Sequence, residues 1–234
     1  MMEKKEEEQL SLNIIARIHT DFPEKFGIPR QSNIVDSLKA KIIFEPRYRN
    51  PDAVRGMDGF SHIWLIWGFL DTKRDSWSPM VKPPRLGGNK RMGVFATRSP
   101  FRPNPLGLSS VKLEQVELHP ELGPILHVAG ADLMDQTPIY DIKPYLAYTD
   151  SHFEATGGFA DPVKDYSLEV EFPQELRSII PEIHHEALYG VLEHDPRPSY
   201  HDDPERIYGL GFAGYNIRFT VKEGKLRVCE VTLM

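Results

Sequence analysis

Two stretches hold residue types that do chemistry, at spacings a purely structural segment does not need. The first is RLGGNKRMGVFATRSPFRPNPLGLSS, from Arg85 to Ser110. It carries five cations, Arg85, Lys90, Arg91, Arg98 and Arg102, and no carboxylate. Clustered guanidinium and ammonium groups bind anions, phosphates above all. Three prolines and four glycines scaffold the same run. Prolines fix φ and glycines allow close backbone approach, so a loop this rich in both is rigid. The carboxylate-free region extends from Ser76 to Leu113 and holds seven Lys or Arg, which leaves the rest of the chain at −13 against a total of −6. A rigid cationic loop on an acidic chain points to a localised anion partner, with a solvated charged loop as the plainer alternative. The second stretch, GADLMDQTPIYDIKPY at residues 130–145, gathers Asp132, Asp135, Asp141 and Lys143. Carboxylates so placed either cap loop turns or serve a reaction. A shorter candidate, Pro29-Arg30-Gln31, closes the loop DFPEKFGIPRQS; its polar tips suit a ligand, or an exposed turn.

Other motifs fail on context. Gly209 to Gly214 (GLGFAG) matches the dinucleotide fingerprint, which needs a helix after it. A period-two strand follows instead, so no dinucleotide fold is expected. His185-Glu186 opens an H-E-x-x-H pattern, but Tyr189 stands where the second metal histidine belongs. With no cysteine pair either, no metal is expected. His62, inside an apolar run, reads as a hydrogen-bonded core imidazole rather than a catalytic group.

The elements that must position these stretches are mostly strands. Leu12, Ile14, Ala16 and Ile18 alternate with their neighbours, as do Ala40, Ile42 and Phe44. Met57 to Leu70 is a third strand region, whose nearly continuous apolar run predicts burial on both faces. Met92 to Ala96 is a short strand-like run. Val111 and Leu113 share one parity and Val116 and Leu118 the other, the phase change of a β-bulge. Ile125 to Ala129 is another strand. Residues 150–165 read as a loop or linker. From Leu176 to Val191 the apolar residues follow helical spacing, and Pro181 divides them into two helices within about 173–193, with Pro181 in the first turn of the second. Tyr215 to Val221 and Leu226 to Leu233 form a hairpin over about 214–233, turning at Glu223-Gly224. Strands in succession are not a βαβ alternation, so the fold class is mainly β, a barrel or sandwich.

Hydrophobic residues make up 40% of the 234, enough for a core, and 20 prolines argue against a helical bundle. The single cysteine, Cys229, reads as a core or sheet residue in a reducing compartment. Residues 1–9 are charged, without the apolar core of a signal peptide, and the run Ile63 to Leu70 is too short to span a bilayer. A cytoplasmic protein is expected.

KPPRLGGNKRMGVFATRSPFRPNPLGLS and DLMDQTPIYDIKPY, with EKFGIPRQS near the start, AVRGMDGFSHIWL at 53–65 and DPRPSY at 195–200, resemble the TsaA-like family of tRNA methyltransferases. The match spans most of the chain; Lys82 stands where the family form has arginine. The resemblance implies a β-barrel cofactor domain over 10–150, unlike the Rossmann-like methyltransferases. It implies a smaller α+β domain over 151–234, while the charged residues 1–9 themselves read as a mobile arm. It implies S-adenosylmethionine-dependent methylation of N6 of the threonylcarbamoyl-modified adenosine 37 of tRNA, by a homodimer with its cofactor pockets near the subunit interface. Cofactor positions follow by similarity at Pro29, Arg30, Gln31, Leu70, Asp71, Arg98, Leu108 and the segment Gly130, Ala131, Asp132 and Leu133; the pair Leu70-Asp71 falls where the family varies. Arg85, Lys90, Arg91, Arg102, Asn104 and Lys143 are the RNA candidates, with Phe101 and Tyr140 available to stack on a base and Phe95 read as core. A carbamoylated N6 is more acidic than a plain amine, so Asp132, Asp135 or Asp141 is expected to receive its proton. Two alternatives stand beside this reading, a barrel that binds RNA or another anion without chemistry and a methyltransferase with a different acceptor.

Overall fold

The structure is a computed structural model that describes residues 9–69, 77–83, 90–163, 166–197 and 203–234. Alternation of apolar and polar residues builds a closed barrel and a four-stranded sheet, each with its own core. Strands β1 (Ala16–His19), β2 (Lys39–Phe44) and β3 (His62–Gly68) come first, followed by a two-residue ribbon of β4 (Met80–Val81) and β5 (Met92–Gly93). Then come β6 (Leu106–His119), β7 (Gly123–Ala129) and β8 (Pro138–Pro144). A closed six-stranded barrel forms in the order β1-β2-β7-β6-β3-β8. Its interior is filled by the inward residues of each strand, among them Ile18, Ile42, Ile63, Leu65, Val111, Leu126 and Ile139.

After a short helix α1 (Ala147–Asp150), the chain adds β9 (Glu169–Glu171), α2 (Gln174–Arg177) and α3 (His185–Glu193). Strands β10 (Tyr208–Phe212), β11 (Tyr215–Lys222) and β12 (Lys225–Leu233) complete a four-stranded sheet in the order β10-β11-β12-β9. The β11–β12 hairpin turns at Glu223 and Gly224, both at positive φ (50° and 78°), the backbone of the tight turn that suits the strands' twist. GLGFAG is β10 and the turn at Ala213-Gly214 that leads into β11, so the fingerprint match is a hairpin.

The bulge lies where the parity change places it: Leu113 faces Val128 and Gln115 faces His127, with Glu114 the extra residue. Several expectations are corrected. The first strand begins at Ala16, because Leu10 and Leu12 are exposed. Residues Met57–Gly59 form a 3-10 turn, and β3 buries alternate residues rather than both faces, since Trp64 and Ile66 point away from the barrel core and remain partly open. Val94–Ala96 is also a 3-10 turn rather than strand. The helical region breaks into α2, a 3-10 turn at Glu182–His184 and α3; Pro181 caps that turn instead of entering it. Cys229 is on β12 but exposed, and His62 is half-buried, its Nδ1 sharing a hydrogen with the Ser61 hydroxyl at 3.0 Å.

The loop between β1 and β2 does not pack on the barrel alone. Phe22, Val35 and Leu38 are buried in the core of the C-terminal sheet, among Leu188, Val191, Leu210, Phe212 and Phe219. Phe22 meets Phe212 edge-on with ring centroids 5.3 Å apart. At Gly190 in α3 an added Cβ would lie 2.7 Å from Val35 Cγ1, which measures how tightly helix and loop are joined.

Candidate active site

One end of the barrel gathers the end of β3, the start of β6, the β7–β8 connection and the β1–β2 loop. Antiparallel pairing brings them there: Gly68 faces Leu106, and Lys39 faces Ala129. Between them lies a cavity of about 650 Å³, within the size range of small-molecule sites. Apolar walls come from Trp67, Phe69, Phe101, Leu106 and Leu133, with Arg30, Gln31, Arg98 and Asp132 as polar groups on the lining.

Asp132 is held by a chain of hydrogen bonds. The Trp67 indole N–H donates to Ser109 Oγ at 3.0 Å, and the Ser109 hydroxyl donates to Asp132 Oδ1 at 2.7 Å. Trp67 and Ser109 are both buried, so the bond between them forms away from competing water. Trp67 can lie flat against β6 because its strand partner is Gly107, where a Cβ would stand 2.2 Å from the indole Cε2. Burial pushes the Asp132 carboxyl above the ordinary aspartate range, opposed by the Ser109 hydrogen bond and the positive charge of Arg98. A carboxylate so shifted is a better proton acceptor than a solvated one.

The other two aspartates have structural employment. Asp135 accepts the Thr20 backbone N–H at 3.1 Å and stands 3.8 Å from His19, tying the β7–β8 connection to the end of β1. Asp141 caps the Ile142 N–H at 3.0 Å and pairs with Lys143 at 2.9 Å. Neither lines the cavity. The cavity therefore separates three aspartates that the sequence leaves equivalent.

Pro29, Arg30, Gln31, Arg98, Leu108, Asp132 and Leu133 all line the cavity. Arg98 donates from Nη1 to Gln31 Oε1, and Gln31 donates to the Arg30 carbonyl, so the two loops close on one another. Gly130 and Ala131 stand behind the lining; Gly130 turns at φ 76° and exchanges backbone hydrogen bonds with Asn33 and Leu38. Leu70, Asp71 and Arg85 lie outside the described residues. Lys90, Arg91, Asn104 and Lys143 are exposed. Arg102 is on the cavity wall, but its guanidinium donates to the carbonyls of Ser99 (3.0 Å), Val94 (3.3 Å) and Thr97 (2.6 Å), bracing the proline-rich loop from inside. Phe101 lines the cavity, and Tyr140 packs over Gly68. Phe95 is not core: it is 74% exposed and stacks on Trp77 at 6.1 Å.

Trp67, Ser109 and Asn33 were not singled out from the sequence. Asn33 donates to the Ser110 carbonyl and hydroxyl, both at 3.1 Å, fastening the β1–β2 loop to β6. A signal for Ser109 existed: it shares the inward parity of Val111 and Leu113, where a polar side chain needs a buried partner. Among the described residues no three His, Cys, Asp or Glu side chains gather as a metal site, and no helix is long and apolar enough to cross a membrane.

Comparison with known proteins adds to this geometry. Residues 17–151 match the family model of the tRNA-methyltransferase O N-terminal domain, and residues 165–233 that of the TrmO C-terminal domain. The chain is 38% identical over 222 residues to the tRNA (adenine(37)-N6)-methyltransferase of Escherichia coli K12, covering 92% of this chain and 94% of that one. It is 37% identical to a putative S-adenosylmethionine-dependent methyltransferase, RcsF, of Pseudomonas aeruginosa, covering 86% and 87% of the two chains. A crystal structure of TrmO from the same species superposes with a TM-score of 0.80 at 30% identity, over 98% of this chain and 99% of that one.

Proposed function

The chain belongs to the tRNA-methyltransferase O family, and on that premise we propose that it transfers a methyl group from S-adenosylmethionine to N6 of adenosine 37 of tRNA, on the threonylcarbamoyl-modified base. The observation that carries the reading is the partly buried Asp132 carboxylate, fixed by Ser109 and Trp67 on the wall of a ligand-sized cavity.

The residues suit that cofactor. Flat aromatic and aliphatic walls accept an adenine ring, Arg30 and Arg98 complement an amino-acid carboxylate, and the aspartate complements cationic or hydroxyl groups. When bound, S-adenosylmethionine supplies an electrophilic methyl on a sulfonium. The protein's part is then to hold the acceptor amine in line and remove its proton. Asp132 is the proton acceptor in this reading, because it alone of the three aspartates lines the cavity. Ser109 holds its Oδ1, so the carboxylate meets the acceptor in one orientation. The exposed cations Lys90 and Arg91 bind the phosphates of the anticodon arm.

We read residues 10–150 as the cofactor domain and 151–234 as an α+β domain docked on it through the β1–β2 loop. Exposed apolar side chains at Trp77, Met80, Phe95 and Leu108 support a homodimer that covers the cavity rim. A cytoplasmic location accords with a tRNA substrate.

The test is incubation with S-adenosylmethionine and tRNA with or without the threonylcarbamoyl group, followed by mass spectrometry of the nucleosides. Methyl on the modified base alone is the expected result. No methyl on either, with cofactor binding intact, moves the acceptor elsewhere; no cofactor binding leaves an RNA-binding barrel.

A further inference from the structure

The cavity loop Pro29–Gln31 is carried by a segment whose apolar residues belong to the C-terminal sheet's core. A polar tie crosses between them beside the cavity: Arg30 Nη2 donates to the Arg197 carbonyl at 3.0 Å. That carbonyl is presented by a turn that locks itself. Asp195 adopts φ 52°, and its Oδ1 accepts the Arg197 backbone N–H at 3.2 Å. The Arg197 side chain then folds back to grip the same carboxylate at two points, Nε to Oδ1 at 2.9 Å and Nη2 to Oδ2 at 3.0 Å. Both residues are buried, Arg197 being only 8% exposed, so its charge is spent inside the protein rather than offered to RNA. A buried, two-point ion pair within a three-residue turn fixes the direction of one carbonyl, and the guanidinium that carbonyl receives belongs to a cavity residue.

We infer that Asp195 and Arg197 are positioning residues for the cofactor, holding Arg30 and the Pro29–Gln31 loop at the cavity from the C-terminal domain. This rests on the cofactor reading above. A turn that sets the binding loop acts on cofactor affinity, whereas one that only stabilises the fold changes how much protein is active. Asp195→Ala removes both grips on Arg197 and the αL-tolerant residue. Asp195→Asn keeps an oxygen for the Arg197 N–H and a side chain that tolerates positive φ. Gly190→Ala reaches the same loop by another route, through Val35, without touching the turn.

The experiment measures S-adenosylmethionine binding by calorimetry on the full chain, thermal denaturation, and KM for cofactor against kcat on modified tRNA. For Asp195→Ala the expected result is a Kd and KM raised about tenfold or more, the worth of a hydrogen bond from a charged donor, with kcat recovered at saturating cofactor. Asp195→Asn recovers most of the affinity, and Gly190→Ala weakens binding in the same sense. A folded Asp195→Ala with wild-type Kd overturns the inference while the functional reading stands, as does a kcat loss at unchanged KM. Should Asp195→Ala fail to fold, Arg197→Lys, which keeps the charge but loses the two-point grip on Asp195, decides by the same criterion. A wild-type protein that does not bind S-adenosylmethionine overturns both.

Discussion

Replacing Gly107 by alanine adds one carbon to the wall between β6 and Trp67. That carbon would lie 2.2 Å from the indole Cε2 and 2.3 Å from Cζ2. Ordinary carbon contacts are about 3.5–4.0 Å, so the ring must retreat by more than an ångström. The ring has little room, being 9% exposed and held edge-on against Phe69 at 4.5 Å. Overpacking of this kind costs about 1–3 kcal/mol. Retreat also breaks the Trp67 N–H bond to Ser109, worth about 1 kcal/mol. The sum is about 2–4 kcal/mol, and at about 2–4 °C per kcal/mol for a chain of this size it lowers Tm by about 4–16 °C. Ser109 loses the partner that fixes its hydroxyl toward Asp132, so turnover on modified tRNA should fall further than the loss of folded protein explains. Thermal denaturation and single-turnover methylation measure the two effects. Gly93→Ala, where nothing lies within 4 Å of the new carbon, is the control for adding a methyl to the region. A Gly107→Ala protein with unchanged Tm and turnover refutes the idea that Trp67 is held in place through Ser109 to the carboxylate.

Asp132→Asn should lower turnover by about 10²–10⁴, the usual worth of a positioned base, whereas Asp135→Asn and Asp141→Asn stay near wild type; a normal Asp132→Asn enzyme removes the base assignment. Because burial raises the folded pKa of Asp132, its contribution to stability is complete below the ordinary aspartate value of 3.8 and is lost as pH rises through the folded value. Asp132→Asn is therefore expected to be more stable than wild type at neutral pH, with the gap closing in acid; a constant gap across denaturation curves at several pH values contradicts the raised pKa. Lys90→Ala and Arg91→Ala should each reduce the slope of log tRNA affinity against log salt by about one. Arg102→Lys should leave that slope intact and instead destabilise the protein by about 1–3 kcal/mol, since a lysine cannot reach the carbonyls of Val94, Thr97 and Ser99 together; a shallower slope would mean that Arg102 binds phosphate.

Much of the barrel and hairpin was legible because strand alternation is local. The bulge near Leu113 and the turn at Glu223-Gly224 could be read from parity and turn chemistry alone. The β1–β2 loop could not. Phe22, Val35 and Leu38 sit among prolines and polar residues, and nothing nearby reveals that their partners lie in α3 and β10–β12. The three aspartates illustrate the same limit. Identical in type and close in sequence, they differ only in what surrounds them: Ser109 and a cavity, Thr20 and His19, or Lys143. Arg102 shows a further limit of a cationic pattern, since a positive charge in such a loop can be spent on that loop's own carbonyls.

The shared core also bears on how the chain is made. Phe22 leaves the ribosome about 200 residues before Val231, which at about 5–20 residues per second is roughly 10–40 s. During that interval β1, β2 and the later barrel strands are available to pair, but the apolar side of the connection between β1 and β2 has no surface to cover it. The nascent barrel therefore carries an open greasy flank until the last hairpin emerges. Such a flank is transiently exposed apolar surface, and a stalled or truncated product ending before β10 is a candidate for aggregation rather than for partial activity.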